Sequence, residues 1–497
     1  MDSNEFRTAA HRLIDYTINY NDTIRDRRPM PEVEPGYMRP LLPSSAPETP
    51  DSFDEIMADV EKIIMPGMTH WNSPNFHAYY PLGSSYTSNL ADILIGALNC
   101  VGFTWTSSPA CTELEVIMMD WLAKLLGLPS HFLSSEEGPG GGVIQGTASE
   151  ATIVAVLAAK ERTLRRLDDN GSGTHNKHQN MHRLVSYTSE ESHCNVVRSS
   201  LIASVLMRSL PVDDKFALRG STLKDAIEQD LKDGLVPFAV VATLGTTQTC
   251  AFDNLQEISD VLSKHPDIWL HVDAAYAGAA YVCEEHRGTM KGIERADSFS
   301  FNPHKWLLVT FDCSAMWIRN TGEVVNAFMV DPLYFRPEHH MNKDAPDYRH
   351  WQMATSRKFR SLKLWFVMRL HGKRGLQEHI RRQIGLAKEF EELVRSDQRF
   401  EVVAPVTMGL VCIRLKVTDH GDLNDLNDRL HKQINATGAI HLLPSQSAGL
   451  SYIRVGVGSR FTESSDMIFA WKEIQKQATA VLMAAAEEQA EKLTKAE

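Results

Sequence analysis

Alternating apolar strands and helices between residues 86 and 380 strongly limit the folds that this chain can adopt. Four short apolar runs have the length and composition of strands that are covered on both faces, and helical patterns separate several of them. This alternation is typical of an α/β fold in which helices flank a mostly parallel sheet. The four runs are RLVSY (183–187), FAVVATL (238–244), WLHVDAAY (269–276) and SFSFN (298–302).

Two helices are predicted before these strands. Residues 112–128 have helical apolar spacing that stops before Pro129. Residues 149–167 form the second helix, with Ser149 as the predicted N-cap and basic residues near its end.

A polar segment rich in glycine and asparagine, residues 168–182, follows the second helix and is predicted to be a surface loop. It contains three histidines but no carboxylate cluster that would complete a metal site. We therefore predict no metal site at His175, His178 and His182.

The chain is predicted to have three parts. Residues 1–85 combine short helical patterns with closely spaced prolines, which suits an arm that wraps around a partner subunit or along the protein's own surface. Residues 86–380 form the large α/β domain, and residues 381–497 form a small C-terminal domain of helices and strands.

Charge and composition exclude several classes of function. The net charge of -12 argues against a nucleic acid or an anionic membrane as partner. The sequence has neither a secretory leader nor an apolar run long enough to span a membrane. Its seven cysteines are scattered without a CxxC pair, which is typical of reduced thiols and predicts a cytoplasmic protein.

The glycine-rich segment GPGGGVIQGTASEA (138–151) leads into a helix. Free N–H groups at a helix N-terminus, with hydroxyl groups beside them, bind phosphate well. Thr147 and Ser149 supply hydroxyls and Ala148 supplies an N–H group. Glycine-rich turns before helices are common, so this segment alone is a weak indication.

The segment WLHVDAAYAG (269–278) places Asp273 at the end of an apolar strand. Ligands of open α/β sheets bind at the carboxyl ends of the strands. A carboxylate there can pair with a protonated ring nitrogen of a cofactor, or it can simply cap the next turn.

In SFNPHKWLL (300–308), Lys305 follows a predicted strand and precedes an apolar run. Apolar surroundings desolvate an amine and favour its uncharged form, which Schiff-base chemistry requires. The alternative is a structural lysine that extends its amine to solvent.

A phosphate-binding turn, a strand-end acid and a lysine in this chain order match the layout of fold-type-I pyridoxal-phosphate enzymes, which have the aspartate-aminotransferase-like fold. The chain resembles the pyridoxal-phosphate-dependent aromatic-L-amino-acid decarboxylases, a group that also contains tyrosine, tryptophan and histidine decarboxylases. The resemblance extends over almost the whole chain. Its motifs are FR near the N-terminus, VEPGY (33–37), PG-THW (66–71), SPNFHAYYP (73–81), GFTW-SSPACTELE (102–115), MDWLAK, GGGVIQG, ATLGTT (242–247), HVDAAYAG, NPHKW, DCSAMW (312–317) and FRSLKLWFV (359–367).

The resemblance implies that the chain is a carboxy-lyase with pyridoxal 5'-phosphate as its cofactor and no metal. Lys305 would hold the cofactor covalently, Asp273 would pair with its ring nitrogen, and His193 would stack on its ring. The other residues implied to contact the cofactor are Thr147, Ala148, Ser149, Thr246, Ala275, Asn302 and His304.

The resemblance also implies a homodimer with shared active sites and an amino-acid substrate. Tyr334 would lie on a mobile loop and return a proton to the substrate after carbon dioxide leaves. The residues implied to contact the substrate are Trp71, Tyr79, Pro81, Leu82, Val101, Phe103 and Ser356. Val101 and Phe103 would reach in from the partner subunit.

Some members of this family are aldehyde synthases, in which oxygen reacts with the intermediate. In these enzymes the loop tyrosine or the stacking histidine is replaced, whereas this chain keeps Tyr334 and His193. Simple decarboxylation is therefore predicted. The segment SEESHCN around His193 departs from the family's DQAHSS-like pattern, and this departure could alter proton transfer.

The preferred substrate is predicted from two positions. Leu82 replaces a threonine of animal dopa decarboxylases, and Ser356 replaces a glycine of many indole- and dopa-selective relatives. A larger, polar residue at position 356 narrows the pocket. Tyrosine, dopa or phenylalanine is therefore favoured over tryptophan, with histidine as an alternative. A catalytically silent homologue with a binding role is a further alternative, although Lys305 and Asp273 are retained.

Overall fold

The computed structural model describes residues 1–168, 178–330, 345–416 and 421–496. The chain divides into two compact units. The first comprises Met1–Pro81, Glu389–Val402 and Ile413–Glu497, and the second comprises Leu82–Lys388 and Val403–Cys412. The three-part division at residues 85 and 380 stays a prediction.

The second unit is built around a seven-stranded sheet with the order β1-β7-β6-β5-β4-β2-β3. Strand β7 is antiparallel to both of its neighbours, whereas the other pairings are parallel. The predicted α/β fold with a mostly parallel sheet is confirmed. The strands are β1 (Gly141–Gln145), β2 (Leu184–Ser189), β3 (Leu206–Leu210), β4 (Val236–Thr243), β5 (Trp269–Asp273), β6 (Ser298–Phe301) and β7 (Ser314–Ile318).

The four predicted strands correspond to β2, β4, β5 and β6. Strand β5 ends at Asp273 and not at Tyr276, because Asp273 accepts a hydrogen bond from the Ala275 N–H group (2.9 Å) and turns the chain. Strand β1 was not predicted, since its first two residues are glycines that weaken a strand pattern.

Helices surround this sheet and also form much of the first unit. They are α1 (Ser3–Asp22), α2 (Phe53–Asp59), α3 (Tyr86–Leu98), α4 (Pro109–Leu126), α5 (Ala148–Asp168), α6 (Cys194–Ala203), α7 (Gly220–Lys232), α8 (Leu255–Leu262), α9 (Pro303–Trp306), α10 (Thr321–Phe328), α11 (Ser361–Arg395), α12 (Leu423–Thr437) and α13 (Ser464–Ala496). Helix α11 is kinked at Gly372. None of the helices in the described ranges is long and apolar enough to cross a membrane.

The predicted N-cap of helix α5 is wrong. The helix begins at Ala148, and the Thr147 hydroxyl accepts the Glu150 N–H group at 3.3 Å. Thr147 therefore caps the helix, and Ser149 lies in its first turn. Because both Ser and Thr are favourable N-caps, the sequence GTASEA did not distinguish them.

The predicted surface loop 168–182 is only partly described. Residues 169–177, including His175, lie outside the described ranges, and His178–Arg183 form a 3-10 helix. Within the described ranges, no group of three or more histidine, cysteine or acidic side chains is arranged to hold a metal ion.

The first unit contains the strands β8 (Phe400–Val402), β10 (Leu443–Ser447) and β11 (Leu450–Gly456). They belong to a four-stranded sheet with the order β10-β11-β9-β8, in which β9 is Leu410–Leu415. Helix α12 packs on β11 and on α13, so this sheet has a helical cover on one face.

A buried ion pair joins helix α4 to the segment before α11. Glu115 and Arg357 form a salt bridge, and both side chains are only 1% exposed. The Glu115 carboxylate also accepts the Ile144 N–H group (2.8 Å), and the Arg357 guanidinium lies 4.6 Å from the centre of the Tyr348 ring. The pair thus anchors strand β1, which leads directly to Thr147 and helix α5.

Replacing Glu115 should strongly destabilise the protein, because Arg357 would be left buried without its anion. We expect Glu115→Ala to lower the free energy of unfolding by about 3–5 kcal/mol, measured by urea denaturation. Glu284→Ala is the control, since it breaks an ion pair with Lys373 whose side chains are 62% and 52% exposed. The control should leave the unfolding midpoint unchanged. Equal losses in both variants would contradict the assigned importance of the buried pair.

His271 on strand β5 should make stability depend on pH. Burial lowers the pKa of His271 from 6.5 to about 4. As the pH falls from about 6.5 to 4, His271 therefore binds a proton in the unfolded chain but stays neutral in the folded chain. The contribution of His271 to the free energy of unfolding is therefore fully present above pH 6.5, and it is lost as the pH falls from about 6.5 to 4. We expect the free energy of unfolding, measured by urea denaturation, to fall between pH 7 and pH 5 by about 2 kcal/mol less in His271→Gln than in the wild type. Parallel pH profiles of the two proteins would refute the prediction.

Candidate active site

Several parallel strands of the second unit end at one edge of the sheet, and functional side chains collect there. Asp273 is the last residue of β5, Asn302 directly follows β6, and Thr243 is the last residue of β4. A cavity of about 150 Å³ lies at this edge. Its lining residues are Thr147, Ala148, Ser149, His193, Asn195, Thr243, Gly245, Thr247, Asp273, Ala275, Asn302 and Lys305.

Helix α5 directs its N-terminus at this cavity. Thr147, Ala148 and Ser149 line the wall, and the first N–H groups of a helix have no partner within the helix. The positive end of the helix dipole adds to the attraction for an anion. This wall can therefore hold a phosphate group through backbone N–H groups and two hydroxyls.

Asp273 supplies a buried negative charge on another wall. Asp273 is only 3% exposed, and one of its carboxylate oxygens accepts a hydrogen bond from the Ala275 N–H group at 2.9 Å. Among the ion pairs of the described ranges, none involves Asp273. A buried carboxylate without a cationic partner is costly, so it is suited to a ligand that brings a protonated nitrogen.

Lys305 lies on the short helix α9, whose position is fixed by its neighbours. Trp306 stacks on Tyr276 with ring centres 4.6 Å apart, and its indole N–H group donates to the Tyr276 carbonyl oxygen at 2.6 Å. Pro303 occupies the first turn of the helix. The half-buried Lys305 side chain consequently enters the cavity from a rigid support.

Two buried polar atoms in the cavity wall have no hydrogen-bond partner among the described residues. They are Asn302 Oδ1 and Thr243 Oγ1, in residues that are 4% and 5% exposed. Buried polar groups in proteins are nearly always paired, so these atoms are suited to a polar ligand. Together with the α5 N-terminus, Asp273 and Lys305, they fit a cofactor that carries a phosphate, a ring nitrogen and an aldehyde. The residues present therefore fit pyridoxal phosphate.

Gly245 lets the turn after strand β4 lie close to Ala277 in the cavity wall. Its φ angle is +83°, and a Cβ at this position would lie 2.7 Å from the Ala277 Cβ. Any larger residue would displace the turn that carries Thr243 and Thr247 into the cavity.

Two residues predicted to contact the cofactor do not line the cavity. The Thr246 hydroxyl is buried and accepts the Ala251 N–H group at 3.0 Å, which stabilises the turn after β4. His304 accepts the Cys313 N–H group through Nδ1 at 2.9 Å. Burial, followed by the charge of Lys305, lowers the pKa of His304 to about 4. Cofactor contacts of Thr246 and His304 stay predictions.

The residues predicted to contact the substrate lie outside the cavity lining. In the first unit, Trp71 and Tyr79 stack with ring centres 5.0 Å apart, and Pro81 lies against Gly458. In the second unit, Leu82 and Phe103 are half-buried. Val101 and Ser356 are exposed, and Tyr334 lies outside the described ranges.

The sequence analysis missed four lining residues: Asn195, Thr243, Gly245 and Thr247. The motif ATLGTT contains the last three, and the end of the apolar run 238–244 could have indicated that Thr243 lies at the functional edge of the sheet. Asn195 lies in the segment that departs from the family pattern, which gave no residue-level signal.

Residues 35–416 match the sequence profile of the family described as the pyridoxal-dependent decarboxylase conserved domain. The chain is also 53% identical to an aromatic-L-amino-acid decarboxylase of Manduca sexta over 475 residues, which covers 96% of this chain and 92% of the relative.

Solved structures of similar enzymes superpose closely on this chain. The tryptophan decarboxylase of Catharanthus roseus, solved in complex with L-tryptophan, is 41% identical, with a TM-score of 0.91 and coverage of 97% of this chain and 99% of that one. The 4-hydroxyphenylacetaldehyde synthase of Rhodiola rosea is 36% identical, with a TM-score of 0.89 and the same coverage. The similar structures thus include both a decarboxylase and an aldehyde synthase.

Proposed function

The chain belongs to the pyridoxal-dependent decarboxylase family, and we propose that it converts an aromatic L-amino acid into the corresponding amine and carbon dioxide. The observation that carries this proposal is the cavity in which the α5 N-terminus, Asp273 and Lys305 converge. The 53% sequence identity to the aromatic-L-amino-acid decarboxylase of Manduca sexta supports the proposed substrate class.

Each of these groups has a distinct task. When bound, pyridoxal phosphate supplies a protonated ring that accepts the electron pair of the bond to the departing carboxylate. Thr147, Ala148 and Ser149 would hold the phosphate. Asp273 would favour a proton on the ring nitrogen, because that positive charge would stabilise the buried carboxylate. Lys305 Nζ would be the amine that holds the cofactor.

Two further residues handle the substrate in this proposal. His193, which lines the cavity, would stack on the ring and position the substrate. Tyr334 would donate a proton to the substrate's α-carbon after carbon dioxide has left.

The proposed assembly is a cytoplasmic homodimer with shared active sites. Its support is the exposure of Val101, which is 44% in the single chain, and the resemblance that places Val101 and Phe103 in the partner subunit's site. The seven free cysteines fit a reducing compartment. The net charge of -12 supports the proposal that nucleic acid and membranes are not partners.

The preferred substrate is proposed to be tyrosine, dopa or phenylalanine. Trp71, Tyr79, Pro81 and Leu82 are proposed, by the resemblance, to contact the aromatic side chain of the substrate. Ser356 is proposed to reduce the space for that side chain, because a serine occupies more space than a glycine and adds a hydroxyl.

Substrate preference is tested by measuring kcat/KM for amine formation with tyrosine, dopa, phenylalanine, tryptophan and histidine, one at a time. We expect tyrosine, dopa or phenylalanine to lead, and Ser356→Gly to improve tryptophan relative to tyrosine by about tenfold. Leading activity on histidine would overturn the proposed substrate class. An unchanged ranking in Ser356→Gly would overturn the role of Ser356 alone. Amine formation from none of the five would overturn the proposed function.

A further inference from the structure

His193 is held by the residue two positions after it. His193 directly precedes helix α6, and its ring atom Nδ1 lies 3.1 Å from the Asn195 backbone nitrogen and 2.9 Å from Asn195 Oδ1. The Cys194 sulfur lies 4.0 Å from the same ring atom, which is too far to compete. Asn195 is only 3% exposed and itself lines the cavity.

Helix α5 fixes the orientation of the Asn195 amide. The Thr152 hydroxyl donates to the Ala148 carbonyl oxygen at 2.9 Å and so uses its single hydrogen. Its oxygen can only accept from Asn195, which lies at 3.1 Å and must present its NH₂ group. The amide oxygen of Asn195 is therefore the atom that faces the His193 ring.

Nδ1 of His193 consequently has one suitable partner for each of its protonation states. Without a proton, Nδ1 accepts the backbone N–H group of Asn195. With a proton, Nδ1 donates to Asn195 Oδ1. The two partners belong to the same residue, so the ring can keep one orientation in either tautomer.

We infer that Asn195, held by Thr152, is a positioning residue that keeps the His193 ring in one orientation in the cavity. This inference rests on the proposed function, in which His193 stacks on the cofactor. The inference gives the unusual segment SEESHCN a specific role. Hydrogen bonds link Ala148, Thr152, Asn195 and His193 in that order, and they connect the N-terminus of α5 to the His193 ring.

The test compares variants at both ends of this hydrogen-bond chain. Thr152→Val is isosteric but removes the hydroxyl, whereas Thr152→Ser keeps it. Thr163→Val is the matched control on the same helix, because Thr163 is 1% exposed and its hydroxyl has no hydrogen-bond partner in the described part of the chain. Asn195→Ala and the double variant Thr152→Val with Asn195→Ala complete the set. All are measured as cofactor-loaded protein, by steady-state kinetics and by visible circular dichroism of the bound cofactor.

We expect Thr152→Val to lower kcat about tenfold with KM within about twofold, because a misplaced group chiefly costs the chemical step. Thr152→Ser should restore kcat to within about threefold, and Thr163→Val should match wild type. The double variant should be no slower than Asn195→Ala, because Thr152 acts only through Asn195. Thr152→Val and Asn195→Ala should alter the dichroism of the cofactor in the same direction.

Additive losses in the double variant, or a Thr152→Val protein that behaves like Thr163→Val, would overturn the inference. These outcomes are distinct from failure of the proposed function. If the proposed function failed, the wild-type protein would form no amine from any of the five amino acids. The circular dichroism of the bound cofactor would still report whether Thr152 and Asn195 act together.

Discussion

Lys305→Ala should lose its colour and its turnover together. Wild-type protein loaded with pyridoxal phosphate is expected to be yellow, because the amine of Lys305 holds the cofactor covalently. Removing the amine should lower kcat at least about ten-thousandfold, as is usual when a covalent catalyst is deleted. Absorbance in the visible range and amine formation measure the two effects. Lys305→Arg should fail equally, since it keeps the positive charge but cannot form the bond.

Lys363 provides the matched control for this experiment. Lys363 is a buried lysine of the second unit, 3% exposed, and its amine donates to the carbonyl oxygens of Thr310 (3.0 Å) and Asp312 (3.1 Å). Lys363→Met should therefore lower the melting temperature while the folded protein keeps its colour. Turnover that survives in Lys305→Ala would show that the lysine has been assigned wrongly.

Asp273→Asn should lower kcat at least about a thousandfold without loss of stability. The amide can still accept the Ala275 N–H group, but it carries no charge to keep a proton on the cofactor's ring nitrogen. Because Asp273 is a buried carboxylate without a cationic partner among the described residues, its replacement should leave the melting temperature unchanged or raise it. Kinetics and thermal unfolding of the same preparation measure both effects.

Asp230→Asn is the opposite case and serves as the control. Asp230 is 1% exposed and accepts hydrogen bonds from Tyr187 (2.9 Å) and from the Arg208 Nε (2.7 Å). Its replacement should lower the melting temperature while the folded fraction keeps its kcat. If Asp273→Asn instead lost stability and kept its kcat, Asp273 would be a structural carboxylate.

The sequence predicted four strands of the seven-stranded sheet, because continuous apolar runs such as 238–244 and 298–302 leave few other conformations. It did not predict β1, β3 or β7. Strand β1 begins with two glycines, and its position depends on long-range contacts, including the hydrogen bond from Ile144 to Glu115. Such contacts between residues distant in sequence leave no local pattern.

The candidate site could be predicted where the chemistry is carried by one residue at the end of one strand. Asp273 and Lys305 are examples, since the edge of a parallel sheet gathers residues that are far apart in sequence. The positioning of His193 could not be predicted in this way. It depends on Thr152 and Asn195, which belong to different helices and are joined only by a hydrogen bond of 3.1 Å.

This chain is expected to decarboxylate an aromatic L-amino acid and to return a proton to the product. The most direct test is the stoichiometry of carbon dioxide, amine and hydrogen peroxide in air, measured with the cofactor-loaded protein and the best substrate of the panel. Equal amounts of carbon dioxide and amine without peroxide are predicted. Aldehyde with an equal amount of peroxide would contradict the account, and it would mean that His193 and Tyr334 do not suffice to protect the reaction from oxygen.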